Sequence, residues 1–370
     1  MSVQAQSYEV LVLDGDMVPA LTIARSLCRT GQTVVIASHE EKPLAGYSRH
    51  VHRVLTYPDP LSDEDGFLSW CEEIVGSHAF RLIIPVTERT VVPMQQLLGH
   101  FGGERIAIAP PEALAVALDK DKTMVLANEL GIPTPKTALV EHVNQIRARL
   151  EKIDAPVVIK PLRSIGSNDA DRKQLKVEYA FNQRQLEAKL EGCLRYGPVL
   201  LQEYVCGDGV GIEAIADRGK VLYAFQHARV HEVPLTGGGS SLRVSEAVNP
   251  ELLDAARKLL GELSWHGVAM VEFKLNRKDG SFSLMEINGR FWGSLPLAVA
   301  AGADFPKMLY ELLTVGRVSP LPEAKSGVYC RKLSSDMHWL ELVLRRDGPP
   351  QLVDFPGKSA LIKDWLSIFS

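Results

Sequence analysis

The stretch SLMEINGRFWGS, residues 283–294, alternates apolar and small residues with Glu286, Asn288 and Arg290. Successive side chains of a β-strand point to opposite faces. That spacing puts a carboxylate, an amide and a guanidinium on one face and Met285 and Ile287 on the other. Upstream, HGVAMVEFKLNRKDG (266–280) reads as the partner strand of a hairpin. KDG (278–280) is expected to be a three-residue loop, with Gly280 in the left-handed conformation such loops favour. This register sets Glu272 directly across from Glu286, with Cβ atoms about 5 Å apart. Two facing carboxylates in a half-buried sheet repel each other unless a cation lies between them. Magnesium suits the site, because it takes oxygen ligands, uses one or two protein carboxylates and completes its shell with water and phosphate. Asn288 adds a neutral oxygen, and Arg290 can hold a phosphoryl or carboxylate oxygen. Two other readings compete. One is a solvated polar face with Arg290 paired to a glutamate. The other is an acid/base carboxylate pair of the kind that cleaves glycosides, which leaves Asn288 and Arg290 without a role.

Working outward, the 370 residues are enough for two to three domains, and 46% apolar with 23% charged content is ordinary for a globular protein. A net charge of −4 gives no electrostatic footprint for nucleic acid or for an anionic membrane surface. No apolar run reaches the roughly 18 residues that span a bilayer. The N-terminal stretch lacks a basic region followed by an apolar core, so no secretion signal is expected. The five cysteines, Cys28, Cys71, Cys193, Cys206 and Cys330, never form a C-x-x-C pair, which suits reduced thiols in a cytoplasm rather than a zinc site.

From the N-terminus, YEVLVLDGD, QTVVIASH, RLIIPVTE and RIAIAP read as strands alternating with helical segments such as VPALTIARSLCRTG and FLSWCEEIVGSH. That alternation predicts an open parallel α/β, Rossmann-like domain over residues 1–112. An α+β region follows over 113–318. Its small lobe is expected at about 113–203 and its large lobe at about 204–318, with a C-terminal extension over 319–370. The extension is too short to fold alone and is expected to pack on its neighbours.

Several stretches offer phosphate or base contacts if magnesium carries a nucleotide. Lys160 ends the buried strand VVIKP, where a cation is costly without an anionic partner; a lysine snorkelling to water reads equally from the residues alone. Lys120 opens a helix in LDKDKT, with Lys122 equally eligible. In LRSIGSNDAD, Ser164, Gly166, Ser167 and Asn168 offer hydroxyls and backbone N–H groups. Glu203 and Val205, in VLLQEYVCGDG, present main-chain groups that can meet an adenine edge. Arg229 and His231 precede the glycine-rich TGGGSS, which reads either as a mobile loop carrying a cation or as a plain hairpin tip. Thr87 and Glu88 follow a strand at the edge where open parallel sheets place ligands. Glu88 can recognise an amine there, and Thr87 can equally be a helix cap.

Taken in order, ALDKDKTMVLANELGIPTPKT, VVIKP, LLQEYVCGDGVGI, VAMVEFKL and LMEINGRFWGS resemble the ATP-grasp superfamily. The resemblance is closest to its carbamoyl-phosphate synthetase and biotin carboxylase-like branch of carboxylate–amine ligases, and it covers residues 1 to about 315. It implies ATP held between two lobes of an ATP-grasp fold and a carboxylate activated as an acyl phosphate for attack by an amine. By position, Lys120 and Lys160 would bind phosphates, with Ser164, Gly166 and Ser167 in the phosphate loop. Glu203 and Val205 would line the adenine hinge. Glu272 and Glu286 would bind two magnesium ions, or manganese, with Asn288 assisting. Arg290 would stabilise charge on the transferring phosphoryl group or acyl phosphate. Apart from the resemblance, Arg229 and the GGGSS loop are expected to face the carboxylate substrate. Two departures stand out. The phosphate loop has a single glycine, and Gly209 occupies the usual place of a ribose-binding glutamate, with Asp208 beside it as a substitute. The expected partners are a small carboxylate and an amine, with a homodimer allowed. A non-catalytic ATP-binding sensor or accessory module is the alternative. A dinucleotide-dependent oxidoreductase is disfavoured because DGDMVP lacks G-x-G-x-x-G spacing.

Overall fold

A computed structural model describes residues 10–100, 106–142, 155–162 and 176–366. The first unit is built on four parallel strands: β1 (Val10–Val12), β2 (Val34–Ser38), β3 (Arg53–Thr56) and β4 (Leu82–Ile84), in the order β3-β2-β1-β4. β1, β2 and β4 are buried on both faces, which is why they read as unbroken apolar runs. α1 (Val18–Arg29) packs on one side of the sheet, and α2 (Glu64–Ser77), capped by the Asp63 carboxylate, on the other. α3 (Glu88–Met94) follows β4. Two sequence expectations change here. β3 has a half-exposed sequence with no clean pattern and was not anticipated. RIAIAP contributes only an isolated parallel bridge between Ile83 and Ile106 among the described residues.

The chain then runs through α4 (Pro111–Ala117) and α5 (Lys120–Glu129) into an antiparallel four-stranded sheet. That sheet comprises β5 (Thr137–Val140), β6 (Val157–Pro161), β7 (Glu178–Ala180) and β8 (Val199–Glu203), ordered β5-β8-β6-β7. α6 (Gln183–Leu194) starts on an Asn182 cap and covers one face with Leu186 and Leu190.

The large sheet has six strands: β9 (Asp208–Asp217), β10 (Lys220–Glu232), β11 (Ser240–Glu246), β12 (Gly267–Leu275), β13 (Phe282–Asn288) and β14 (Tyr329–Arg331). Their order is β13-β12-β9-β10-β11-β14. One face buries Val210, Ile212, Ala214, Val271 and Phe273 against α7 (Pro250–Glu262) and against α4 and α5. α4 and α5 thus share the core of the large sheet. The opposite face is covered in part by α8 (Leu295–Ala301) and α9 (Phe305–Val315). These merge with α1 and the first sheet into one continuous core. The extension adds β14 to the free edge of β11, then α10 (Leu333–Arg345) and α11 (Lys358–Leu366). Among the described residues no helix is long and apolar enough to cross a membrane.

Candidate active site between the two lobes

β12 and β13 form the expected hairpin, and Glu272 pairs with Glu286. The route to that pairing differs from expectation. The Asn276 N–H donates to the Ser281 carbonyl at 2.8 Å, and the Gly280 N–H to the Asn276 carbonyl at 2.9 Å, so four residues turn the chain, with Gly280 at φ +77°. A register shift then falls between Glu272 and Phe273, where Phe273 meets Leu284 and Met285 becomes the extra residue. The two offsets cancel. Leu284 and Ile287 enter the core, while Met285 stays half-buried outside it, contrary to the strict alternation expected.

Both carboxylates lie among cations, Glu272 buried and Glu286 half-buried. The Asn288 amide donates to Glu286 Oε1 at 3.1 Å. Burial alone would raise the pKa of Glu286. Lys120, the Asn288 bond, Lys160 and Arg229 outweigh it and hold the carboxyl below its usual value. For Glu272 burial wins: its pKa is raised, with Arg229 pulling it down and Glu286 pushing it up. Arg229 Nη2 lies 2.5 Å from Glu272 Oε2, and its Nη1 is 3.5 Å from Glu232. Lys274 stands 3.3 Å from the same Glu232. Burial depresses Lys160, opposed by Glu286 and Glu272 and reinforced by Lys120 and Lys274. Lys120 sits on the first turn of α5, which Asp119 caps, and its N–H donates to the Leu162 carbonyl just past β6. Lysines from β6 and α5 thus meet glutamates from β12 and β13.

Other expected residues lie elsewhere. Glu203 ends β8 with its carboxylate accepting the Lys136 N–H at 2.8 Å, and Val205 follows at the crossing between lobes. Asp208 lines a pocket together with Arg229 and Glu232. It pairs at 2.9 Å with Arg277 in an exposed contact along the hairpin. Arg290 points to the first domain, where its Nη2 is 3.3 Å from Glu88 Oε1 and its Nη1 donates to the Phe291 carbonyl at 3.1 Å. Its Nε is buried without a hydrogen-bond partner among the described residues. A cavity of about 280 Å³ opens there, lined by Asp14, Asp16, Thr87, Glu88, Arg290 and Gly293 among others. It sits at the carboxyl ends of β1 and β4, where the strand order reverses and open parallel sheets take ligands. Thr87 makes no side-chain cap. Instead the buried Asp14 carboxylate accepts the N–H groups of Val86 and Thr87 and the Thr90 hydroxyl. Ser164, Gly166, Ser167 and Asn168 lie outside the described residues.

Sequence reading missed the floor of the cleft. In DGVGIE, Gly209, Gly211 and Glu213 share the cleft face of β9. A Cβ on Gly211 would lie 2.5 Å from the His227 ring, and one on Gly209 would lie 2.9 Å from the Arg229 side chain. The bare backbone lets these β10 side chains lie across β9 toward Glu272. Glu213, fully buried, accepts the Ser294 hydroxyl at 2.5 Å and has His227 Nδ1 2.9 Å away. The alternating glycines were a usable signal.

A small antiparallel sheet facing a large one, preceded by a parallel α/β unit and enclosing opposed carboxylates with lysines from both sides, defines a class of fold, and in it the chain is similar to ATP-grasp proteins. Residues 195–335 match the family described as "ATP-grasp in the biosynthetic pathway with Ter operon". Its similarities fall in the carbamoyl phosphate synthase and biotin carboxylase-like branch. The carbamoyl phosphate synthase large chain of Methanoregula boonei is 23% identical over 231 residues, covering 60% of this chain and 21% of that one. The arginine-specific large chain of Bacillus subtilis is 24% identical over 277 residues, covering 70% and 26%. The chain therefore spans about a fifth to a quarter of these relatives' length. Among solved structures, an N5-carboxyaminoimidazole ribonucleotide synthetase in complex with ADP superposes with TM-score 0.68 at 13% identity, covering 91% of this chain and 86% of that one. Campylobacter jejuni biotin carboxylase gives 0.67 at 14%, covering 87% and 74%. The Bacillus licheniformis L-amino acid ligase gives 0.64 at 17%, covering 85% and 78%.

Proposed function

We propose that the chain is an ATP- and magnesium-dependent ligase that activates a carboxylate as an acyl phosphate and joins it to an amine, releasing ADP and phosphate. The observation that carries this reading is the opposed pair Glu272 and Glu286, with Asn288 on the same face and Lys120, Lys160 and Arg229 around them. The donor set fits the metal: hard oxygens from two carboxylates and one amide, with room for phosphate to complete the shell. Glu272, Glu286 and Asn288 would hold the magnesium ions, which supply charge neutralisation to the phosphates they bind. Lys120 and Lys160 take phosphate oxygens. A polyphosphate offsets the cost of burying Lys160 that two partly compensated glutamates leave in place. The backbone of Glu203 and Val205 receives the adenine edge. Phosphoryl transfer needs positioning and neutralisation more than covalent help. Arg290 meets the phosphoryl or acyl oxygen on the side of the first domain, and the amine enters the cavity beside Glu88. Closure of the lobes keeps water from the acyl phosphate. A cytoplasmic location and a homodimer belong to the same proposal.

Magnesium-dependent phosphate release, screened with pooled carboxylic acids against pooled amines, tests the reading. Release is expected to need both pools and to fall by about 10²-fold or more in Glu286→Ala, with the melting curve retained. Undiminished release in that variant overturns the site assignment. The second reading, a nucleotide-binding module without turnover, is favoured by the Arg229–Glu272 ion pair, which occupies one of the metal carboxylates. ADP binding with no phosphate release in any pool would select it.

A further inference from the structure

The floor of the cleft carries a guanidinium that the chemistry above does not use. Arg229 on β10 stands directly opposite Arg243 on β11, which places both on the cleft face with Cβ atoms about 5 Å apart. Like charges so placed repel unless each has an anion. Arg229 has two, Glu272 and Glu232. Arg243 has no carboxylate within 4 Å among the described residues; its Nη2 donates to the Ser240 carbonyl at 2.5 Å. Glu213 is near enough to be felt, but its hydrogen bond comes from Ser294 and its close ring neighbour is His227. Burial pulls the Arg243 pKa below the usual arginine value, and Arg229 pulls it further. A desolvated cation in that position lacks the compensation that buried charges ordinarily have. The side chain nevertheless stays partly exposed.

What it is exposed to follows from Gly293. A Cβ there would lie 3.5 Å from Arg243 Nη2, and Gly293 lines the cavity that also holds Arg290 and Glu88. Gly293 therefore stands between the cavity and the edge of the guanidinium, and its lack of a side chain leaves the way between them unblocked. A planar guanidinium fork offers two parallel N–H groups to a carboxylate, a match an ammonium cannot reproduce.

We infer that Arg243 is the anchor for a carboxylate anion entering the cavity past Gly293, and so the residue that selects the acid substrate. The inference deepens the ligase reading and rests on it for the reaction, but the anion site can be tested by binding alone.

The test is the ligand-dependent melting shift, in the presence of magnesium and ADP, with acetate, malonate and glycine, each against its amide. Wild type is compared with Arg243→Met, Arg243→Lys and Gly293→Val. At least one carboxylate is expected to bind where its amide does not. Its affinity should fall about tenfold or more in Arg243→Met and remain reduced in Arg243→Lys, which restores charge but not the fork. Gly293→Val fills the opening and should weaken the same ligand with every charge in place, so it decides the matter if Arg243→Met melts without cooperativity. Unchanged carboxylate affinity in Arg243→Met, or no binding by any carboxylate of the panel, overturns the inference. Carboxylate binding through Arg243 without stimulated phosphate release supports the anion site and removes the ligase reading. Stimulated release that is indifferent to Arg243 does the reverse.

Discussion

At Arg229 the electrostatics of the cleft become testable one residue at a time. Its guanidinium is held above its usual pKa: burial opposes the charge, and Glu272, Glu232 and Glu286 together overcome it. In the same contact Glu272, raised by burial, has a cation where a metal ion would bind. Under the ligase reading, magnesium alone would have to displace Arg229 to reach both glutamates. Replacing Arg229 with glutamine is expected to let magnesium without nucleotide raise the melting temperature more than it does in wild type, since a ligand stabilises by RT ln(1 + [L]/Kd). Phosphate release should fall in the same variant. An identical magnesium shift in both proteins would show that the ion pair does not gate the metal. None of this pairing was legible in the sequence, because Arg229 and Glu272 are separated by two strand crossings. Glu272 opposite Glu286 was named from the sequence, but the route to it was not legible: a fourth turn residue and the extra residue Met285 offset each other, and neither shows in the period-2 pattern. That Arg290 pairs with a glutamate was one of the readings open in the sequence, but which glutamate was not legible: Glu88 comes from another domain, and its contact depends on how the two units dock.

Among the elements, β9 and the C-terminal extension show what local pattern can and cannot give. β9 alternates Gly209, Gly211 and Glu213 on the cleft face with Val210, Ile212 and Ala214 in the core. The apolar half of that pattern is readable as a buried strand. The need for glycine depends on side chains arriving from β10. Gly211→Ala would drive a methyl to 2.5 Å from His227 and 3.2 Å from the Met270 sulfur, both buried. The expected cost is about 1–3 kcal/mol, read as a lower denaturation midpoint with an unchanged slope; a midpoint within error of wild type would mean that the His227 ring swings clear. The extension was expected to pack somewhere, and its means of attachment is now visible. Asp336, fully buried, accepts the Ser241 hydroxyl at 2.6 Å, lies 2.8 Å from His231 Nδ1 and pairs with Arg331. Trp339 stacks on the His231 ring at 3.5 Å. Burial raises the pKa of Asp336, but its His231, Ser241 and Arg331 partners hold the folded carboxyl below the ordinary 3.8. The stabilisation is therefore complete above that value and is lost as pH falls through the lower, folded one. Asp336→Asn leaves Arg331 and His231 with a neutral neighbour and is expected to cost about 3 kcal/mol. It should speed amide exchange in α10 at neutral pH, as acid does in wild type. Protected α10 amides in the variant would mean that the apolar contacts of Trp339 and Val343 hold the extension unaided.

The whole molecule places its two pockets of chemistry on opposite sides of one arginine. The first domain and the large lobe share a single core, in which Val10, Ile36 and Ile84 meet Trp292, Phe305 and Leu309. Contacts between the two units are therefore as fixed as contacts within them. Arg290 projects across that junction to Glu88, at the carboxyl edge of the parallel sheet, while Asn288, two residues earlier, faces the carboxylate pair. Under the ligase reading this geometry separates the roles of the two sides. The nucleotide contacts lie on the side of Lys120, Lys160 and Glu286, and the acceptor contacts on the side of Glu88. Glu88→Gln keeps the size and a hydrogen-bonding group but removes the charge that meets Arg290 and an incoming amine. It is expected to leave the melting shift caused by magnesium and ADP as in wild type and to lower kcat/KM for the amine by about tenfold. The loss should sit mainly in KM, because a charged contact to the acceptor made before the chemical step is binding shared by ground and transition states. A weakened ADP shift with the amine KM unchanged would place Glu88 on the nucleotide side of Arg290 and refute the division of the cleft.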